Sequence, residues 1–166
     1  MPGNVAEYDR ISAVLYAHRW AYGRNPKYYN YDKIGGDCTN FASQCIFAGA
    51  RVMNYRKVTG WYYSNANSKS PSWTGVDFLR NFLVGNPDRG PFAKEADIGA
   101  IQPGDIIQLS FDGVHFQHSP VVVAVGAVPE PANILIAAHT IDSDNRPVTT
   151  YAYKKIRFLH ILGVRQ

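Results

Sequence analysis

This chain changes character once, at Gln102-Pro103-Gly104-Asp105, where helical periodicity gives way to short β-prone runs. Ile106 to Phe111 is the first run, and Asp112-Gly113 after it is a hairpin signal. His118 to Val125 is rich in Val, with Pro120 suiting an edge strand or a strand's first residues. Pro129 to Pro131 makes the next connection, and Asn133 to His139 the next strand. Tyr151 to Tyr153 and Ile156 to Val164 complete the set.

Before the change, Ile11, Val14, Leu15 and Tyr22 fall near a 3.6 period, predicting an amphipathic helix from Ala6 to Tyr22 that Asn25-Pro26 ends. A second helix is expected from Cys38 to about Ala48, with Gly49 as its stop signal. Thr74 and Asp77 read as a capping pair for a short helix from Val76 to Val84, closed by Gly85 and Pro87. Ser64 to Ser72 is a loop by composition. Helices first and an antiparallel sheet afterwards is the α+β pattern.

At 166 residues the chain reads as one domain, 1–166, long enough to bury about 70% of its unfolded surface. No apolar run approaches the ~20 residues of a membrane helix, and Met1-Pro2-Gly3-Asn4 is neither basic nor apolar, so no signal peptide is visible. The start reads as a domain cut from a longer precursor, or as an artificially chosen boundary. The net charge is +4 with no run of basic residues, too sparse for a nucleic-acid footprint. It allows attraction to an anionic polymer such as a bacterial wall.

Chemistry centres on Gly35-Gly36-Asp37-Cys38. The glycines permit a sharp turn, and Asp37 is a candidate N-cap whose carboxylate would accept from the first helical turn. Cys38 then sits at the positive end of a helix dipole, which favours thiolate over thiol. A lone cysteine in a helix is more often a small buried apolar residue, as Cys45 reads with Phe41 and Ala48 at helical spacing. A Cys38–Cys45 disulfide is not expected, because seven residues of helix separate them by roughly 10 Å.

A nucleophilic cysteine needs a base and a group to orient it. His18 and His160 read as structural. His118 opens one strand and His139 closes the next, so antiparallel pairing would bring both imidazoles to one end of the sheet. His115 and His118 lie three apart and would point to opposite faces of a strand, which argues against a shared metal. No zinc or nucleotide motif is present. Asp142 and Asp144 suit a solvated loop.

These residues resemble the NlpC-like cysteine peptidases and amidases. Asp37-Cys38-Thr39-Asn40-Phe41 is similar to their Asp-Cys-Ser/Thr-x-Phe motif, Gln102-Pro103-Gly104-Asp105-Ile106-Ile107 to their Pro-Gly-Asp strand entry, and His118-Ser119-Pro120-Val121-Val122-Val123 to their His-bearing strand. Within them, the block from Gly35 to Cys45 resembles the putative amidase domain subfamily, as do His139-Thr140-Ile141-Asp142 and the lead-in Asn25-Pro26 with Tyr28. The resemblance runs from Ala6 to Tyr153.

It implies a papain-like fold with the nucleophile helix packed on an antiparallel sheet. Cys38 would be the nucleophile, His118 the general base and His139 the third polar residue, with Asp142 the alternative for that position. Asp37 would receive a substrate amine or simply cap the helix. The implied activity is hydrolysis of amide bonds, mostly in peptidoglycan peptides, through a thioester acyl-enzyme with no cofactor or metal. An extracellular or cell-wall location follows from that substrate. The aromatic residues around Trp61 and Trp73 would line a substrate groove or serve as a packing lid. The rival reading is a non-catalytic wall-binding or scaffolding module that kept the fold.

Overall fold

In this computed structural model residues 3–166 are described, and the Met1-Pro2 start lies outside them. The architecture is α+β, with a curled antiparallel sheet and few helices. The strands are β1 (Val5–Ala6), β2 (Tyr63–Asn65), β3 (Ser68–Lys69), β4 (Gly90–Ala96), β5 (Ile106–Ser110), β6 (Val121–Val125), β7 (Ile134–Ala138), β8 (Ser143–Pro147) and β9 (Lys155–Arg165). The helices are α1 (Arg10–Trp20), α2 (Cys38–Ala50), α3 (Pro71–Thr74) and α4 (Val76–Gly85). Seven strands form the main sheet in the order β1-β9-β5-β6-β7-β8, with β4 also paired to β9, while β2 and β3 form a separate hairpin.

Side chains alternate across this sheet. Val121, Val123, Ala137, Leu159 and Ile161 point to the helical side, where they join Phe41, Cys45, Ile46 and Leu83 in one core. Ile107, Leu109, Val122, Ile134, Ile136 and Ala138 point the other way and pack with Ile101 and Val148 in a second core. The helical side carries α2, whose residues from Cys38 to Ile46 are all buried.

Several expectations change. Helix α1 and its C-cap bury Ala13, Ala17 and Ala21, spaced by four, and leave Ile11 at 74% and Leu15 at 62% exposed. The period was legible but the buried stripe is the alanine one, because small residues let α1 lie close against α2. Gly49 does not stop α2. A Cβ there would come within 2.6 Å of the Asp9 carbonyl oxygen and of the Tyr8 ring, so glycine permits this close approach. Arg51, at φ 62°, takes the left-handed C-terminal position instead. The Thr74/Asp77 pair does not cap α4; Gly75 precedes that helix, and Asp77 accepts from Arg157 Nη2 at 2.7 Å. The Ser64–Ser72 stretch contains β2, β3 and the start of α3. Tyr151 to Tyr153 is not a strand, since a 3-10 turn at Val148–Thr150 follows β8. Strands β1, β4 and β8 were not foreseen, and Ala6, expected to open the first helix, lies in β1, with α1 beginning at Arg10. The sequences of β4 and β8, GPFAKEA and SDNRP, lack an apolar run because their pairing partners do the specifying.

No helix among the described residues is long and apolar enough to cross a membrane.

Candidate active site

Cys38 opens α2 and His118 lies in the connection between β5 and β6, three residues before β6, yet both line one pocket of 280 Å3. The Cys38 thiol points to the carbonyl of Gln117, the residue before His118, at 3.9 Å. Below it, Thr39 Oγ1 and Ser119 Oγ share a hydrogen bond of 3.1 Å, and Gln108 Nε2 donates to that Ser119 hydroxyl at 3.2 Å. This polar contact fixes the first turn of α2 against the start of the His-bearing strand.

Both reactive groups are buried, Cys38 at 8% exposure and His118 at 5%. Burial pushes the Cys38 thiol up, with hydrogen bonds from Thr39 and the Ser119 backbone offsetting only part of the effect. Burial thus works against the thiolate that the helix start was expected to favour. Burial and the nearby Arg146 guanidinium push His118 down from 6.5 to about 4. At neutral pH the pocket holds a neutral thiol and a neutral imidazole.

His118 Nε2 lies 3.3 Å from the Tyr151 hydroxyl, with the two rings edge to face at 5.4 Å. Arg146 covers the Tyr151 ring at 3.6 Å. Arg146 was not singled out from the sequence, and Tyr151 was read there only as the start of a strand.

His139 is elsewhere. Its Nδ1 pairs with Asp37 Oδ2 at 2.5 Å, its Nε2 meets the Trp20 carbonyl at 2.8 Å, and its ring stacks on Phe41 at 4.0 Å. The expected contact with His118 is not made, and register supplies the reason. Val121 pairs with Ala137, so two residues before the one and two after the other set Ser119 level with His139. His118 falls one position out and faces the other side of the sheet. Asp142 does not reach His118 either; its carboxylate accepts from Arg24 at 2.9 Å.

Asp37 is fully buried. Its Oδ1 accepts from the Tyr31 backbone N–H at 2.8 Å and from Asn40 Nδ2 at 2.9 Å, and its side chain makes no cap bond to α2. The expected helix-cap role is thus corrected: the carboxylate holds the preceding loop and His139. Arg24, which the sequence did not flag, bridges Asp32, Asp142 and, at 3.7 Å, Asp37. It extends this network to the surface.

The remaining candidates are structural contacts. His18 pairs with Asp144 and His160 with Asp105. His115 pairs with Asp112 at an exposed turn, and among the described residues no cluster of three metal-ligating side chains occurs. Trp61 and Trp73 are completely buried. Trp61 Nε1 donates to Ser43 Oγ and Trp73 Nε1 to Asn40 Oδ1, so they pack behind α2 and line no groove.

The pocket rim is strained. Thr140 and Ile141 both have positive φ, 63° and 61°, a conformation costly for β-branched residues. Thr140 Oγ1 accepts from the Asp37 N–H at 3.2 Å. Gly36 opposite it, at φ 95°, has room for no larger residue without crowding that oxygen, 3.2 Å from a would-be Cβ.

No solved structure matches this chain. The uncharacterized protein YhbB of Bacillus subtilis (strain 168) is 33% identical over 147 residues, covering 87% of this chain and 45% of that protein. The chain thus spans less than half the length of that relative. A family model described as "Putative amidase domain" matches residues 7–162, nearly the whole sequence, and the chain belongs to that family.

Proposed function

We propose that this chain is a cysteine amide hydrolase working through a thioester, with Cys38 as nucleophile and His118 as general base. The observation that carries this reading is the convergence of Cys38 and His118, from separate layers of the fold, on one pocket. Membership of an amidase family supports amide hydrolysis as the reaction class. The start of α2 lying against an antiparallel sheet is the arrangement a papain-like, NlpC-type fold would have. Peptidoglycan peptides are the substrate class carried over from that resemblance, and with them a wall-associated location.

In the first half-reaction Sγ forms a bond to the amide carbonyl carbon while its proton passes to His118. The Cys38 backbone N–H, free at the helix start, stabilises the developing oxyanion. His118 then gives the proton to the departing amine as the C–N bond breaks. Water, deprotonated by the same ring, opens the thioester and regenerates the thiol.

In this reading the ring donates Nε2–H to the Tyr151 oxygen, 3.3 Å away, which would leave Nδ1 to accept the thiol proton and make Tyr151, in place of His139, the positioning residue. Its own pKa is raised by burial, which keeps the phenol neutral. His139 serves the site from beneath, by clamping Asp37 under the first turn of α2.

Incubation with purified peptidoglycan, followed by mass analysis of new amine and carboxyl ends, tests the reading. New ends with the native chain and none with Cys38→Ala are expected. Equal release by the Cys38→Ala variant would sink the mechanism. No release by either would favour a non-catalytic wall-binding module.

A further inference from the structure

The pocket that holds Cys38 and His118 carries one formal charge. Arg146 is part of its lining, which contains no Asp or Glu, and the burial that keeps His118 neutral leaves the guanidinium as the only ion there. Among the described residues no carboxylate lies within ion-pair distance of Arg146, whereas Arg10, Arg24, Arg51, Arg56, Arg80 and Arg157 each have at least one; Arg19, Arg89 and Arg165 share that lack but lie outside the pocket.

The side chain is held in place all the same. Nε donates to Thr150 Oγ1 at 2.7 Å, Nη2 to the Thr150 carbonyl at 3.2 Å, and Nη1 to Ser143 Oγ at 3.4 Å. Its planar face lies on Tyr151 at 3.6 Å. A guanidinium has five N–H donors, and these three contacts use three of them. At least one remains even when the Tyr151 hydroxyl takes a fourth, on a half-buried group already fixed in orientation. A rigid fork with an unspent donor is the natural receptor for a carboxylate, because binding then costs little further ordering.

We propose that the pocket takes amide substrates carrying a free carboxylate beside the scissile bond, and that Arg146 binds it. The proposal rests on the assignment of Cys38 as nucleophile, and names the substrate class of that same site. The carboxylate belongs either to a peptide terminus or to an acidic side chain.

The test uses Cys38 as its own reporter. The full chain is alkylated at alkaline pH with iodoacetate, an anion, and with iodoacetamide, its neutral counterpart, and mass mapping separates Cys38 from the fully buried Cys45. Relative to glutathione, Cys38 is expected to prefer iodoacetate by about fivefold, the scale of a partly exposed ion pair. That preference should shrink as salt is added. It should survive in part in Arg146→Lys and vanish in Arg146→Gln, while Lys94→Gln, an exposed cation on β4 outside the pocket, leaves it unchanged.

An iodoacetate preference that is absent, or unchanged in Arg146→Gln, overturns the carboxylate site and leaves the nucleophile assignment standing. A Cys38 inert to both reagents removes the two together. N-acetylalanine and N-acetylisoglutamine, as competitors against iodoacetamide, identify the source. Protection by the first alone puts the charge at a chain end, and by the second alone on a side chain.

Discussion

His118 is displaced from its ordinary 6.5 to about 4 by burial and by Arg146, and two consequences are measurable. The ring is a competent base at any pH above its own pKa, so the acid limb of kcat/KM is expected near pH 4. Stability follows the same group. Between pH 6.5 and about 4 the unfolded chain binds a proton at His118 and the folded chain does not. The contribution of His118 is therefore complete above that window and lost as pH falls through it, by about 3 kcal/mol. Thermal melts across this range should show the loss, and His118→Asn should flatten it. Tyr151→Phe keeps the ring under Arg146 and removes only the hydroxyl. A neutral hydrogen bond is worth about 1 kcal/mol, so kcat should fall about fivefold to tenfold, with KM little changed. His139→Ala should act differently. It removes one donor from the buried Asp37 carboxylate, which keeps Tyr31, Asn40 and Arg24, and should cost about 1–3 kcal/mol of stability in urea titrations, whereas Asp142→Ala, at a partly exposed pair, should stay within about 1 kcal/mol of the native chain.

The contact of α1 with α2 sets where the nucleophile helix lies, and its specification is by smallness. Ala13, Ala17 and the C-cap residue Ala21 of one helix are buried, and Gly49 on the other leaves no room for a methyl against Tyr8 and Asp9. Gly49→Ala is expected to destabilise by about 1–3 kcal/mol, the usual cost of overpacking, as a lowered urea midpoint. Ile11→Gln, on the exposed face of the same helix, should change stability by no more than about 0.5 kcal/mol. The reverse ranking would mean that the helix packs through its large side chains. Helix α2 also shows why aromatic residues distant in sequence matter to the site: Trp61 and Trp73 hydrogen-bond to Ser43 and Asn40 on its buried face.

Across the whole molecule, Asp105 ties the elements together. Its carboxylate accepts from Arg10 on α1 at 2.8 Å, His160 on β9 at 2.7 Å, and the backbone N–H groups of Gln102 and Ile161 at 2.9 Å. The Pro-Gly-Asp turn is thus a junction of the first helix, the β5 entry and the last long strand. Replacing this fully buried acid by Ala leaves Arg10 and His160 without their partner. A loss of about 3–5 kcal/mol is expected, visible as a fall in melting temperature with the cysteine site otherwise intact.

The sequence by itself placed the helices before the Pro-Gly-Asp turn and most of the sheet after it, since periodicity is a local property, but not β1 and β4, which join the sheet from before that turn. It also singled out Cys38, because a Gly-Gly-Asp turn before an apolar helical run is readable without any partner. It brought forward His118 as a base for the same reason, a polar residue at the mouth of a Val-rich strand. What lay beyond it was every question of which face meets what. Alternation on β7 was legible, yet a one-residue offset in pairing with β6 sends His139 to Asp37 and His118 to Tyr151. The stripe of α1 that is buried, the weakly apolar strands β4 and β8, and the charge states of Cys38 and His118 belong to the same class. Each depends on long-range contacts and on the desolvation that only the assembled layers impose.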